Sequence, residues 1–205
     1  MALVSLNSVK EYLSITSTKD DALLTSFATI AGARLDALVG RSLASTVYTD
    51  EVLQLERTVH DLQGWVKFDL ASARSYIFLK EYPITTFTEL EVGGDALTVD
   101  EDYYLLPGEG VIILAVSVND TYKNALATYT AGYAEDGAPV ELNWIVYEMV
   151  KIMYQNSTAP ARGSKDVASE KIGEYSVTYS TEDVGSFASS GEVQTIISKY
   201  KRYSL

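Results

Sequence analysis

Few side chains in this 205-residue chain could do chemistry, and their spacing does not assemble a reaction centre. His60 is the one histidine, so a Ser-His-Asp relay or a two-histidine metal site would have to be built on it. Its neighbours Glu56 and Asp61 read as ordinary strand and turn carboxylates, which makes His60 an exposed structural residue. Asp20 and Asp21 could share a proton, but they stand where a helix begins and where carboxylates favour the helix dipole. Asp100, Glu101 and Asp102 are consecutive, without the alternate spacing and the downstream glutamate of a calcium loop. Gly108-Glu109-Gly110 has the glycines of a phosphate loop but neither the lysine nor the helix that must follow, so it reads as a turn. The chain has no cysteine, hence no disulfide, thiolate metal site or thiol nucleophile, in keeping with a reducing compartment. Asn119-Asp120-Thr121 and Asn156-Ser157-Thr158 match the glycosylation pattern, yet Met1-Ala2-Leu3-Val4-Ser5 opens no secretion signal. The expectation is a protein without a catalytic site, cofactor or metal.

The charge is as informative as the missing chemistry. The net charge of -12 is concentrated in the middle of the chain. Residues 1–43 hold four bases and four acids, residues 44–140 five bases against sixteen acids, and residues 141–205 seven bases and eight acids. A surface as acidic as that middle region repels phosphate, which argues against direct nucleic-acid binding. Trp65, Trp144 and the fifteen tyrosines could stack bases, but no basic residues interleave with them as a single-strand binder needs. Core and interface packing accounts for them better. No stretch approaches the ~18–20 apolar residues needed to span a bilayer, so the expectation is a soluble chain made in the cytoplasm.

The elements that must position these residues form an α+β arrangement. Leu6, Val9, Tyr12 and Leu13 recur at helical spacing after Ser5, a good N-cap, and predict a helix over 5–15. A second helix over 18–39 carries Leu23, Leu24, Phe27, Ile30, Ala31, Leu35, Leu38 and Val39 and closes on Gly40, placed to adopt the left-handed conformation that ends helices. Its small residues Ala28, Ala31, Gly32 and Ala33 suggest close approach to another helix. Short runs separated by Gly, Pro and Asp then predict antiparallel strands near 47–55, 65–70, 75–79, 89–92, 103–106, 110–114 and 125–130. A third helix over 140–155 follows Pro139 and carries Leu142, Ile145, Val146, Met149, Val150 and Met153 on one face. Ser190 can cap a last helix over 190–203, with Val193, Ile196, Ile197 and Tyr200 as its stripe. The expected organisation is a small helical bundle body (1–43 and 139–156), an inserted acidic antiparallel β region (44–138), and an extended C-terminal arm with a docking helix (157–205).

The arm is polar, yet Tyr175, Val177 and Tyr179 alternate with Ser176, Thr178 and Ser180 as in a strand. Its few larger apolar side chains (Val167, Ile172, Tyr175, Val177, Tyr179, Val184 and Phe187) cannot offset the entropy of ordering so long a segment within one chain. This predicts an arm that orders on a neighbouring subunit.

Several motifs, in order, carry a resemblance that covers most of the chain. They are Val4-Ser5-Leu6-Asn7-Ser8-Val9-Lys10-Glu11-Tyr12-Leu13, Asp20-Asp21-Ala22-Leu23-Leu24, Val39-Gly40-Arg41, Tyr82-Pro83-Ile84, Asp102-Tyr103-Tyr104 and Tyr129-Thr130-Ala131-Gly132-Tyr133. The helix after Pro139 follows, and then Ser169-Glu170-Lys171-Ile172-Gly173-Glu174-Tyr175-Ser176, the most specific run. Together they resemble the head-tail connector (adaptor, or head completion) proteins of tailed bacteriophages and prophages. The resemblance implies a non-enzymatic structural virion protein at the head-tail junction, or neck. Such a protein forms a homo-oligomeric ring of about twelve subunits beneath the portal, extends the DNA channel without sequence-specific binding, and presents a surface to the next neck or tail protein. By the same resemblance the portal and subunit interface falls on Lys165, Ser169, Glu170, Lys171, Ile172, Gly173, Glu174, Tyr175, Val177 and Tyr179 of the arm, and on Val193, Ile196, Ile197 and Tyr200 of the last helix. A tail completion or terminator protein is the alternative within that class. A β-sheet module for a host-surface carbohydrate, with Tyr48, Trp65, Tyr103 and Tyr104 on one face, is the alternative outside it.

Overall fold

The structure, a computed structural model, describes residues 3–54, 66–69, 74–115, 124–158, 169–172, 175–178 and 183–201. The chain divides into two compact units, one formed by residues 40–137 and the other by residues 2–39 with 138–201.

The second unit is helical. Ser5 caps α1 (Leu6–Leu13), its hydroxyl accepting from the Ser8 amide at 3.2 Å, and Ser14 ends it in the left-handed region at φ 56°. Helix α2 (Asp21–Val39) starts about one turn later than the Thr18 signal predicts and ends where expected, Gly40 following at φ 78°. Helix α3 (Val140–Thr158) begins just after Pro139, whose carbonyl accepts the Leu142 and Asn143 amides. Two shorter helices follow, α4 (Val184–Ala188) and α5 (Gly191–Tyr200). The unit's core collects one side of each: Val9; Leu24, Ala28, Ala31 and Leu35; Leu142, Ile145, Val146, Met149 and Val150; Val184 and Phe187; Val193 and Ile197. Helix α2 is, by length and composition, apolar enough to cross a membrane. That corrects the expectation that no stretch approaches this length; Leu24, Ala28, Ala31, Leu35 and Val39 of this helix are buried in the unit's core.

The first unit is built from two antiparallel sheets. One has the order β1-β8-β4-β5, with β1 (Thr46–Gln54), β4 (Ile84–Val92), β5 (Asp95–Ala96) and β8 (Asn124–Ala131). The other has the order β2-β3-β7-β6, with β2 (Val66–Asp69), β3 (Arg74–Phe78), β6 (Tyr103–Leu106) and β7 (Val111–Leu114). Their inner residues form a single cluster: Leu53, Leu90, Ala125, Ala127 and Tyr129 from the first sheet, Ile77, Tyr103, Ile112 and Leu114 from the second. Strand β4 extends five residues further toward the N-terminus than its alternation predicts. Two register shifts, at Ile84/Thr86 and Phe87/Glu89, break the period of two on which such a prediction rests. A separate two-stranded sheet pairs β9 (Ser169–Ile172) with β10 (Tyr175–Thr178), Ile172 opposite Tyr175.

Candidate functional site

The C-terminal segment, where the interface is expected, divides into two parts of different character. The β9/β10 hairpin contains Ser169, Glu170, Lys171, Ile172, Tyr175 and Val177 in a ladder that, among the described residues, no strand of the other sheets joins. Lys165, Gly173, Glu174 and Tyr179 lie outside the described residues, as do His60 and Trp65. Over Tyr175–Thr178 the alternation read from the sequence is a strand, and its partner is Ser169–Ile172 just before it.

Beyond the hairpin, two of the expected interface residues are core residues of the chain itself. Val193 is fully buried and Ile197 is 3% exposed, inside the chain's own helical unit. Ile196 and Tyr200 are half-buried, and the Tyr200 hydroxyl donates to Glu141 Oε2 at 2.7 Å beside the Lys199–Glu141 ion pair at 3.2 Å. Val184 and Phe187, counted as arm residues, are buried as well, the Phe187 ring meeting Trp144 edge-on at 5.8 Å. The α5 helix is thus already docked, so Val193 and Ile197 are core anchors. Packing against α2 and α3 offsets an ordering cost that the tail's own apolar side chains cannot offset by themselves. The signal for α4 is Asp183, whose carboxylate accepts from the Ser186 amide at 2.6 Å while the Ser186 hydroxyl closes the reciprocal cap.

Electrostatics knit the helical unit. Lys10 pairs with Asp21 at 2.7 Å, joining α1 to the start of α2. The Tyr12 hydroxyl donates to Glu148 at 2.5 Å and its ring stacks on Tyr147 at 5.1 Å. Partial burial of a side chain that stays 40% exposed, then the Glu148 carboxylate, pushes Tyr12 up to about 12. The Tyr200 hydroxyl and Lys199 hold the Glu141 carboxyl below the ordinary glutamate range. The Ser186 amide does the same for Asp183.

In the β unit several of the motifs that carry the resemblance meet one another. The Arg41 guanidinium lies 3.9 Å from the centre of the Tyr82 ring and donates to the Tyr82 carbonyl. The Ser42 amide donates to Glu81 Oε2 at 3.1 Å. Gly132 sits at φ 101°, its amide donating to the Pro83 carbonyl at 2.9 Å, while Tyr133 and Leu43 join through a 2.7 Å backbone bond. Beside them Glu51, with Asp50 at φ 51° in a bulge that resets the alternation of β1, turns inward to accept from Tyr129. Lys80 closes the cluster at 3.1 Å from Glu51. Burial, then the hydrogen bond to Glu51, raises the Tyr129 phenol well above its ordinary value. A buried phenol held protonated on a carboxylate that also pairs with a lysine ties β1 and β8 to the segment that leads into β4.

The carbohydrate-face reading is corrected. Tyr103 is 4% exposed in the core and Tyr48 stacks on Tyr129 at 5.2 Å, whereas Tyr104 points outward at 46% exposure. Consecutive strand residues face opposite sides, so Tyr103 and Tyr104 cannot line one face. Asp102 is engaged by the Thr98 amide at 2.9 Å. Among the described residues no group of three or more carboxylates or histidines is placed to hold a metal ion.

A family model described as "head completion protein" matches residues 2–203. No curated protein matches the chain. The fold is similar to three solved chains from gene transfer agent particles. The neck of the empty particle computed with C6 symmetry gives a TM-score of 0.54 at 15% identity, covering 99% of this chain and 91% of that one. The virion of the native particle gives 0.53 at 16%, covering 99% and 91%. The neck of the native particle computed with C12 symmetry gives 0.53 at 14%, covering 100% and 94%.

Proposed function

Because this chain belongs to the head completion protein family, structural proteins of the head-tail junction in phage-like virions, we propose that it is a non-enzymatic ring adaptor. In this reading about twelve copies close beneath the portal, continue the DNA channel and offer the next neck or tail component its docking surface. A heterologous contact repeated around an axis closes into such a ring. The observation that carries the reading is the family match, unbroken through both units from residue 2 to residue 203. Similarity in fold to chains from necks computed with C6 and C12 symmetry supports it.

The β9/β10 hairpin is the element that contacts a neighbour or the portal. It follows a long core helix and precedes two docked ones, and among the described residues its ladder is joined by no other sheet. Hairpins of two strands are marginal alone, so a partner surface completes it. Val193 and Ile197, committed to the chain's own core, take no part, while Ile196 and Tyr200 keep a face for it. Replacing residues 165–179 by a short Gly-Ser linker tests this. The shortened chain is expected to fold with unchanged helix content yet fail to join tails to packaged heads; normal tail joining would refute the hairpin's role. Binding to purified tails in preference to packaged heads would favour the tail-completion alternative.

A further inference from the structure

We infer that α2 carries a second helix-packing seam, and that a helix of the adjacent copy of this chain covers it. This inference rests on the ring reading above and names the surface through which copies meet.

Helix α2 has two apolar faces. Its inner face, Leu24, Ala28, Ala31, Leu35 and Val39, is buried in the helical unit. Leu23, Ser26, Ile30, Ala33 and Ala37 occupy a separate line on the same helix, and all are exposed. Leu23 is 37% and Ile30 44% exposed. Their separations alternate between three and four residues, the spacing that keeps one seam facing a partner helix along several turns. A solvated helix face would be filled with charged residues, and this line has none. Even its hydroxyl is withdrawn: Ser26 donates to the Ala22 carbonyl at 2.9 Å, and Thr25 and Thr29 beside it donate to the Asp21 and Thr25 carbonyls. The face thus presents small and aliphatic groups with its donors already satisfied. That suits close approach of another helix, at 8–10 Å between axes.

Charge selects the occupant. The β unit, residues 40–137, holds six bases against sixteen acids, so copies meeting through it would repel. The helical unit, residues 2–39 and 138–201, holds nine bases against twelve acids and can face its own copy at little electrostatic cost. A lipid bilayer is a poorer fit, because the opposite line of α2 is committed to the unit's core. A ring needs one face of each copy buried on the next, and the α2 seam is a continuous, uncharged face in the weakly charged unit.

The test uses the absence of any need to know the partner. The full chain is made with a benzophenone side chain at position 30, assembled onto tailless packaged heads and irradiated, and copies per head are counted on the same sample. The expected adducts are dimers and higher multiples of this chain. An adduct with a different virion protein, with lipid, or with nothing overturns the seam. Many copies per head without self-adducts would sink the seam and leave the ring reading standing; a single copy per head would sink both. In parallel, Ala33→Glu keeps a good helix former at an exposed site while placing a charge in the seam. It should lower copies per head roughly tenfold, the effect of a poorly compensated buried charge at an interface. An unchanged copy number would overturn the inference.

Discussion

The Tyr129 hydroxyl donates to Glu51 Oε2 at 2.5 Å in the interior of the β unit, 78 residues apart in the chain. Tyr129 is fully buried and Glu51 is 9% exposed. A buried carboxylate is tolerable only when its lone pairs are occupied, and Tyr129 and Lys80 occupy them. Tyr129→Phe keeps the ring's stacking on Tyr48 and removes only the donor. It should cost about 1–3 kcal/mol, read as a fall in the thermal midpoint of the β unit. In a double-mutant cycle, Tyr129→Phe made on a Glu51→Met background, which has no oxygen left to accept, should lose most of its effect; additive losses would show that the two groups are not coupled.

Two glycines should respond to alanine in opposite directions. At Gly132, φ is 101° and an added Cβ would stand 2.6 Å from the Ala44 carbonyl oxygen, a backbone atom that cannot swing away. Gly132→Ala should destabilise the β unit by about 2–4 kcal/mol. At Gly32, in mid α2, an added Cβ meets nothing within 4 Å, and Gly32→Ala should stabilise the helical unit by about 1 kcal/mol. Chemical denaturation of both variants checks the pair, and equal signs would contradict the geometry.

Docking of α5 on its own unit makes adjacent residues unequal. Ile197 is 3% exposed and Ile196 half-buried. Ile197→Ala should cost about 2–4 kcal/mol through the cavity it leaves, and Ile196→Ala less than about 1.5 kcal/mol. Comparable losses at both positions, measured by urea unfolding, would mean that α5 is not seated as described.

These unequal roles mark where the sequence stopped being legible. The stripes of α2, α3 and α5 and the caps at Ser5 and Ser190 were readable because they rest on local spacing and local hydrogen bonds. Whether the stripe of α5 covers its own chain or another was not, since that depends on which faces of α2 and α3 remain free once they have packed together. The Glu51–Tyr129 pair was hidden for a different reason. The bulge at Asp50, φ 51°, shifts the inward positions of β1 from even to odd residues, so Glu51 reads as an exposed carboxylate until the bulge is placed. The two faces of α2 are only half legible: at the level of residue type both lines of the helix look apolar, so spacing alone puts the exposed Leu23 and Ile30 in the core stripe.

Acid should loosen the C-terminal end of the helical unit first. Glu141 and Asp183 have ordinary values of 4.5 and 3.8, and the contacts from Tyr200, Lys199 and the Ser186 amide lower both in the folded chain. A carboxylate whose folded value is depressed contributes stability that is present above its unfolded value and lost as pH falls through the folded one. Amide exchange in α4 and α5, corrected for its intrinsic pH dependence, should therefore speed up below about pH 4 relative to α3. Uniform acceleration through all three helices would contradict this.

Alkali should act on the other end of the same unit, and through the opposite sign. Tyr12 has an ordinary value of 10.0 and is raised to about 12 by burial first and the Glu148 carboxylate second. The folded chain therefore holds the phenolic proton more tightly than the unfolded one, so the contribution is fully present below pH 10.0 and is lost as pH rises toward about 12. Loss of that proton would set a phenolate against Glu148 and strain the Tyr12–Tyr147 stack that ties α1 to α3. In a spectroscopic titration of phenolate absorbance, the difference between the wild-type chain and Tyr12→Phe should rise near pH 12. Helix content of the wild-type chain should fall over the same interval and less so in the variant, which keeps the ring and has no proton to lose. A difference curve centred at 10.0 would show that Tyr12 is free in solution and that α1 is not held through it.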